Sequence, residues 1–391
     1  MNSKMLMLGK KRSAIREIFE FGNKLRAEIG AENVYDFSLG NPYPPAPDCM
    51  RETLEKLVQN PAVHAYTSAP GAQAVRDKVA SYINERFPIN QPASLIYMTA
   101  GAAASLCSVL SATVDSKDDK VVVFTPYFPE YKVFVESAGA SVVEVPCNDE
   151  FKLDKDNLLK AIDKNVVAVI INSPNNPTGV VYPKENLQEI FDVLKAKEKE
   201  YNHTIVVIAD EPYRELVYGD KEVPYIPTMY DNSVVCYSYS KVMSLAGERI
   251  GYVAVSPKME NAQDFFLAVC GAGRSLGYVC APSLFQFAIA ENIDKTSDFT
   301  TYANNGKTLY NHLKGLGLDC VNPDGAFYLF VKAPNGNAEE FCEKAKKYNI
   351  LLVPSTSFGV DGYVRISYCV SEKMVNSSLP AFSALRQEYN K

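Results

Sequence analysis

Runs of β-branched and apolar residues recur through the first two thirds of this chain: KVVVF at 120–124, SVVEV at 141–145, VVAVII at 166–171, TIVVIA at 204–209, SVVCYS at 233–238 and IGYVAV at 250–255. Near-continuous Val/Ile runs read as strands buried on both faces. Helical patterns lie between several of them, at 102–114, 128–138, 184–200 and in part of 211–218. Buried strands alternating with helices pack as a largely parallel sheet with helices on both sides. With SLIYM at 94–98 the count is seven strands, so the expected class is α/β, with a three-layer large domain.

The last quarter has a different texture. Short strands are expected at 318–321, 326–331, 351–353 and 363–367, with helices at 337–347 and 371–389, after a helical stretch over 282–313. That is a smaller α+β unit. At the other end, Ile15, Ile18, Phe19, Leu25 and Ile29 mark an amphipathic helix over 12–29, with Ser13 as its cap. A short strand at 36–39 follows. GNPYPPAP at 40–47 can be neither helix nor central strand and reads as a stiff linker. Helices resume at 48–58 and 71–87. Because the linker separates the first helix from the large sheet, that helix is expected to pack on the C-terminal unit. The expected organisation is therefore 1–45 as N-terminal helix and linker, 46–285 as the large domain and 286–391 as the small one.

Composition narrows the function. A formal net charge of −6 and the lack of a dense basic run argue against nucleic-acid binding. The nine cysteines show no CxxC pair and no cluster with histidine at zinc spacing, so they read as reduced core residues and no metal site is expected. No apolar stretch is long enough to span a membrane, and the N-terminus lacks a signal-peptide pattern. A cytoplasmic setting is expected.

Open α/β sheets bind ligands at the carboxyl ends of their strands, so the residues after each run are the place to look for chemistry. After SLIYM, Gly101 opens a helix of small residues beginning Ala102-Ala103, which exposes backbone N–H groups at a positive dipole end. Any strand-to-helix turn can carry such a glycine. After KVVVF come Tyr127, Phe128 and Tyr131, either packing or a platform for a flat ring. After VVAVII, NSPNNPTG fixes a rigid turn that presents amides, Asn176 among them. After TIVVIA stands Asp210, followed by Glu211, Pro212 and Tyr213. A carboxylate so placed is costly unless paired, so it is either half of a structural ion pair or the partner of a protonated heterocycle. After SVVCY come Ser238, Ser240 and Lys241, with Arg249 before the next strand. Taken alone, Lys241 is a lysine in a hairpin loop. Together these groups are what pyridoxal 5'-phosphate (PLP) needs: an aldehyde-binding lysine, an acid at the pyridine nitrogen, a phosphate nest and a face for its ring.

NSPNNPTG, ADEPY and SYSK with Arg249 eight positions on also resemble the signature blocks of the fold-type I, class I/II aminotransferases, from LGNP at 39–42 to YVRIS at 363–367. The resemblance implies a role for each matching residue. Lys241 would hold the PLP aldehyde and shuttle the substrate proton, and Asp210 would keep the pyridine nitrogen protonated. Tyr213 and Asn176 would donate to the cofactor's phenolic oxygen, and Phe128 would stack on its ring. The N–H groups of Ala102 and Ala103, with Ser238, Ser240 and Arg249, would bind the phosphate. Tyr66 would reach a neighbouring subunit's phosphate site, which implies a homodimer with shared active sites. Arg365 would grip the substrate α-carboxylate, with Gly40 contacting it through the backbone and Asn176 lining the same place. Arg274 lies where relatives often have a Ser/Thr-rich turn; it could read a second carboxylate, pair with the cofactor phosphate or lie at the dimer interface, and the interface is the role expected for it. The implied activity is transamination between an L-amino acid and a 2-oxo acid by a ping-pong mechanism. A PLP-dependent C–S β-lyase of the same fold is the alternative, and a non-catalytic PLP-binding regulator a third reading.

Overall fold

The computed structural model describes residues 1–10 and 14–389; the expected cap Ser13 falls outside them. Contacts divide the chain into two units, one of Pro44–Pro174 with Val181–Asp298 and one of Met1–Tyr43 with Asn175–Val180 and Phe299–Lys391.

The larger unit is built on a seven-stranded sheet in the order Ile96–Thr99, Gly251–Val255, Ser233–Ser238, Val206–Asp210, Val166–Asn172, Lys120–Thr125, Ser141–Pro146. Pairing is parallel from Ser233–Ser238 through to Ser141–Pro146, and Gly251–Val255 is antiparallel to both its neighbours. The mostly parallel α/β sheet expected from the Val/Ile runs is thus present. Alternate residues of each strand face one helical layer. Val121, Val123, Ile170, Ile208, Val234 and Val253 pack with Leu106, Val109 and Leu110 of helix Ala102–Thr113 and with Phe266 and Val269 of helix Ala262–Ser275. The intervening Val122, Val169, Val207, Val235 and Ala254 are fully buried too, which is why these strands carry no polar alternation. SVVEV is the exception, because Ser141–Pro146 lies at the sheet edge and buries only Val145.

Three local differences from the sequence reading have physical causes. The stretch 211–218 forms turns rather than helix, because the Glu211 N–H stays bonded to the Cys236 carbonyl of the neighbouring strand at 3.0 Å. Helix Ala262–Ser275 was not legible because AVCGAGRS carries two glycines. Gly273 is required there, since a Cβ would stand 2.1 Å from the Tyr97 hydroxyl. Lys241 sits on a helical turn, Tyr239–Val242, rather than in a plain loop; Ser238 caps it by accepting from the Ser240 N–H at 3.2 Å.

The smaller unit contains an antiparallel sheet in the order Val353–Pro354, Tyr363–Ser367, Tyr328–Lys332, and a parallel pair, Tyr35–Asp36 with Ile350–Leu351. The strand expected at 318–321 is reduced to one bridge, Cys320 to Val331. The strand expected at 36–39 ends at Asp36, because that carboxylate accepts from both the N–H and the hydroxyl of Ser38 and turns the chain. Phe37 is still held, donating to Leu351 O and accepting from Ser367 N. Helix Ala14–Ile29 is tied into this unit by an ion pair between Arg26 and Asp36. Among the described residues no helix is long and apolar enough to cross a membrane.

Candidate active site

In the larger unit the carboxyl ends of three adjacent strands converge on Asp210. This residue closes strand Val206–Asp210 and is 4% exposed. Its register partner Asn172 donates through Nδ2 to the Asp210 backbone carbonyl at 2.9 Å. The Tyr131 hydroxyl donates to Asp210 Oδ2 at 2.5 Å. Oδ1 is buried and accepts no hydrogen bond from the described residues. Burial pushes the Asp210 carboxyl up to about 7; the Tyr131 bond pulls it down and the Glu211 charge pushes it further up. The ion pair weighed for this stretch exists, but it belongs to Glu211. Both Glu211 oxygens accept from the Arg214 guanidinium, which lies beside the stacked Phe87 and Tyr225 rings, 5.1 Å from each centroid. Tyr213, in the same turn, is buried.

A second convergence lies where helix Ala102–Thr113 begins. Gly101 precedes it with φ of 82°, and a Cβ there would come within 2.6 Å of Arg249 Nη2. Arg249 Nη1 donates to Ser240 Oγ at 3.3 Å, and Ser240 Oγ lies 2.7 Å from Ser238 Oγ. These four residues therefore form one cluster at the head of a helix whose first residues, Ala102 and Ala103, are half-buried. Lys241 and Arg249 belong to a single hairpin connection, because the strands it joins are antiparallel neighbours and Tyr239 N donates to Ile250 O at 3.1 Å.

Phe128 is half-buried and meets Tyr131 edge-on, with ring centroids 5.6 Å apart and planes at 84°. From sequence Tyr131 reads as packing or as part of a ring platform, not as the partner of Asp210, although its position three residues after Phe128 places both on one side of a helical turn. Tyr66 stands apart at 88% exposure. Arg274 lies exposed in the last turn of helix Ala262–Ser275.

The smaller unit has its own polar centre. Arg365, on strand Tyr363–Ser367, is 2% exposed. It donates from Nη1 to Asn176 Oδ1 at 3.0 Å and from Nη2 to the Ser38 carbonyl at 2.6 Å, and its guanidinium lies over the Tyr328 and Phe358 rings. The Asn176 amide is thereby oriented by Arg365. Gly40 lies against Tyr328, whose hydroxyl would be 2.4 Å from a Cβ at that position. The carbonyl of Ser38 was not foreseen, since a backbone acceptor leaves no mark in sequence.

A lysine, a buried carboxylate and a helix start opened by glycine thus follow strands of one sheet. The chain belongs to the aminotransferase class I and II family, which it matches over residues 31–381. Members of that family use PLP. The chain is 29% identical to an aspartate aminotransferase of Pyrococcus horikoshii, over 97% of this chain and 96% of that one. It is 30% identical to an aspartate aminotransferase of Thermotoga maritima, over 93% and 95%. Among solved structures, an aminotransferase from Eubacterium rectale superposes with a TM-score of 0.98 at 48% identity, covering 100% of this chain and 99% of that one. The Thermotoga maritima aspartate aminotransferase does so at 0.88 and 27%, covering all of both chains. The protein is an aminotransferase.

Proposed function

We propose that this aminotransferase binds PLP in the larger unit and exchanges amino groups between L-amino acids and 2-oxo acids by a ping-pong mechanism. The observation that carries the cofactor assignment is the buried Asp210 carboxylate, with one oxygen taken by Tyr131 and the other accepting nothing from the described residues. A buried anion of that kind suits a protonated ring nitrogen, which donates one hydrogen bond and carries one positive charge. The Gly101 cradle fits as well: side-chain-free backbone, two hydroxyls and a guanidinium at a helix start suit a phosphate. When bound, PLP supplies an electron sink for the bonds at substrate Cα.

The chain's own residues then divide the work. Lys241 Nζ holds the aldehyde carbon and moves the proton at Cα. Asp210 keeps the ring nitrogen protonated, while Tyr213 and the donor end of Asn176 serve the phenolic oxygen. Phe128 covers one ring face. The N–H groups of Ala102 and Ala103, with Ser238, Ser240 and Arg249, hold the phosphate. Arg365 takes the α-carboxylate by two parallel N–H bonds, beside the backbone of Gly40. Tyr66 completes the phosphate site of a second copy, so the working form is a homodimer, which the 88% exposure of this tyrosine in the single chain supports. Arg274 belongs to that interface, and the setting is cytoplasmic. The relatives are named for aspartate, and one from Thermococcus litoralis for aromatic amino acids. What substrates of both kinds share is the α-carboxylate, for which Arg365 is the receptor.

Four experiments test this. An absorbance scan of PLP-loaded protein should show the visible band of a lysine-bound aldehyde, and Lys241→Ala should abolish it. A panel of L-amino acids against pyruvate, 2-oxoglutarate and oxaloacetate should give the matching amino acids. Release of pyruvate, ammonia and thiol from L-cystathionine with no acceptor present would overturn transamination in favour of β-elimination. Arg365→Ala should weaken substrate by about 2–5 kcal/mol, as for a buried charge pair losing one partner, while the visible band remains.

A further inference from the structure

We propose that Tyr131 is a positioning residue of the cofactor site: its hydroxyl holds one oxygen of the Asp210 carboxylate so that the other faces the ring nitrogen as an anionic acceptor. The inference rests on the PLP reading above and adds a residue to it.

A carboxylate is acceptor-only when ionised, with room for several donors on its two oxygens. Burying it therefore requires donors, and their number decides what is left for a ligand. The neighbouring pair shows one limit. Arg214 meets both oxygens of Glu211 and saturates that carboxylate from within the chain. A phenol has a single hydrogen to give, so Tyr131 satisfies Oδ2 of Asp210 and leaves Oδ1 open. One donor is enough to fix the rotation of the carboxylate and too few to neutralise it.

Tyr131 is itself held firmly. It is 2% exposed and lies in the first turn of helix Glu130–Ala138. The Tyr127 ring stacks beside it at 6.4 Å with planes at 12°, and the edge contact with Phe128 closes another side. Phe128 is the residue proposed for the cofactor's ring face. One helix start thus sets both the ring-face contact and, through Tyr131, the orientation of the acid at the ring nitrogen. Burial and the nearby Asp210 charge hold the Tyr131 phenol well above its ordinary pKa, so it remains a donor at any working pH.

The test uses PLP labelled with 15N in the pyridine ring, bound to the full-length protein. In the wild type the ring nitrogen should give the resonance of a protonated pyridine throughout pH 6–9. In Tyr131→Phe the carboxylate loses its donor and becomes more basic, and the ring-nitrogen resonance should move toward the neutral form. PLP should also bind about 10- to 100-fold more weakly, the equilibrium equivalent of one lost hydrogen bond to a buried charge. Replacing Tyr131 by 3-fluorotyrosine, a stronger donor of nearly the same shape, should move the resonance the opposite way; it decides the matter if the Phe variant does not fold. Tyr127→Phe is the control. That phenol donates to Glu144 instead, at 2.6 Å, so both readouts should stay at their wild-type values. An unmoved resonance in Tyr131→Phe, or in the fluorotyrosine protein where the Phe variant does not fold, overturns the proposal, and loss of stability alone would mean a merely structural role. A wild type that shows no lysine-bound band with PLP overturns the cofactor reading and this inference together.

Discussion

Asp210 and Glu211 are consecutive, and both are buried, at 4% and 3% exposure, yet Glu211 gives both oxygens to Arg214 while Asp210 gives one to Tyr131. Burial pushes both carboxyls upward; for Glu211 the guanidinium pulls back, and for Asp210 only a phenol does. The two side chains leave the same turn for environments with opposite purposes. One charge is balanced by the chain and fixes the turn that carries Tyr213. The other is left short of a cation, a costly state that makes sense when the cation arrives with a ligand.

The sharpest way to break this contrast is to remove the two charges separately in the cofactor-free protein. Glu211→Gln strands the Arg214 guanidinium among Phe87, Tyr225 and backbone carbonyls, and should cost about 3–5 kcal/mol in a urea titration. Asp210→Asn removes a charge that has no counter-charge among the described residues, and near pH 8 it should leave stability unchanged or raised. Equal losses from both substitutions would show that Asp210 is balanced from within after all.

A second effect, no larger than about 4 kcal/mol, follows from acidity. The Asp210 carboxyl is moved from 3.8 to about 7 in the folded chain. Between those values the folded state keeps a proton that the unfolded chain has released, so the folded state binds more protons and stability falls as pH rises. The contribution is fully present below about 4 and lost above about 7. Cofactor-free wild type should therefore lose stability across that window relative to Asp210→Asn, and PLP should remove the loss by supplying the ring cation. Parallel pH curves for the wild type and the variant, measured by thermal unfolding, would refute the assignment.

The strands were legible because burial on both faces leaves near-continuous Val/Ile runs, and the strand ends then pointed to Asp210, Lys241 and Arg249. The ion pair at ADEPY was legible as a possibility, but which carboxylate takes it was not. Asp210 and Glu211 differ only in which way a strand end turns, and that is fixed by the bond from Glu211 N to Cys236 O, a contact distant in sequence. Tyr131 is in the same position, since its partner is 79 residues away and its ring reads equally well as packing. The backbone half of the Arg365 site, the Ser38 carbonyl, carries no residue-type signal at all.

The smallest expected effect separates where the Asp210 carboxylate sits from how it is charged. Asn172 donates from its amide to the backbone carbonyl of Asp210 at 2.9 Å. Asn172→Ala should cost about 1 kcal/mol, the net worth of one neutral hydrogen bond. It should leave the pH dependence of the cofactor-free protein as it is, because the carboxylate keeps Tyr131 and its burial. If the slope between about pH 4 and 7 flattens instead, the carboxylate has moved toward water, and the open oxygen is then held in place by the strand ladder as much as by the phenol.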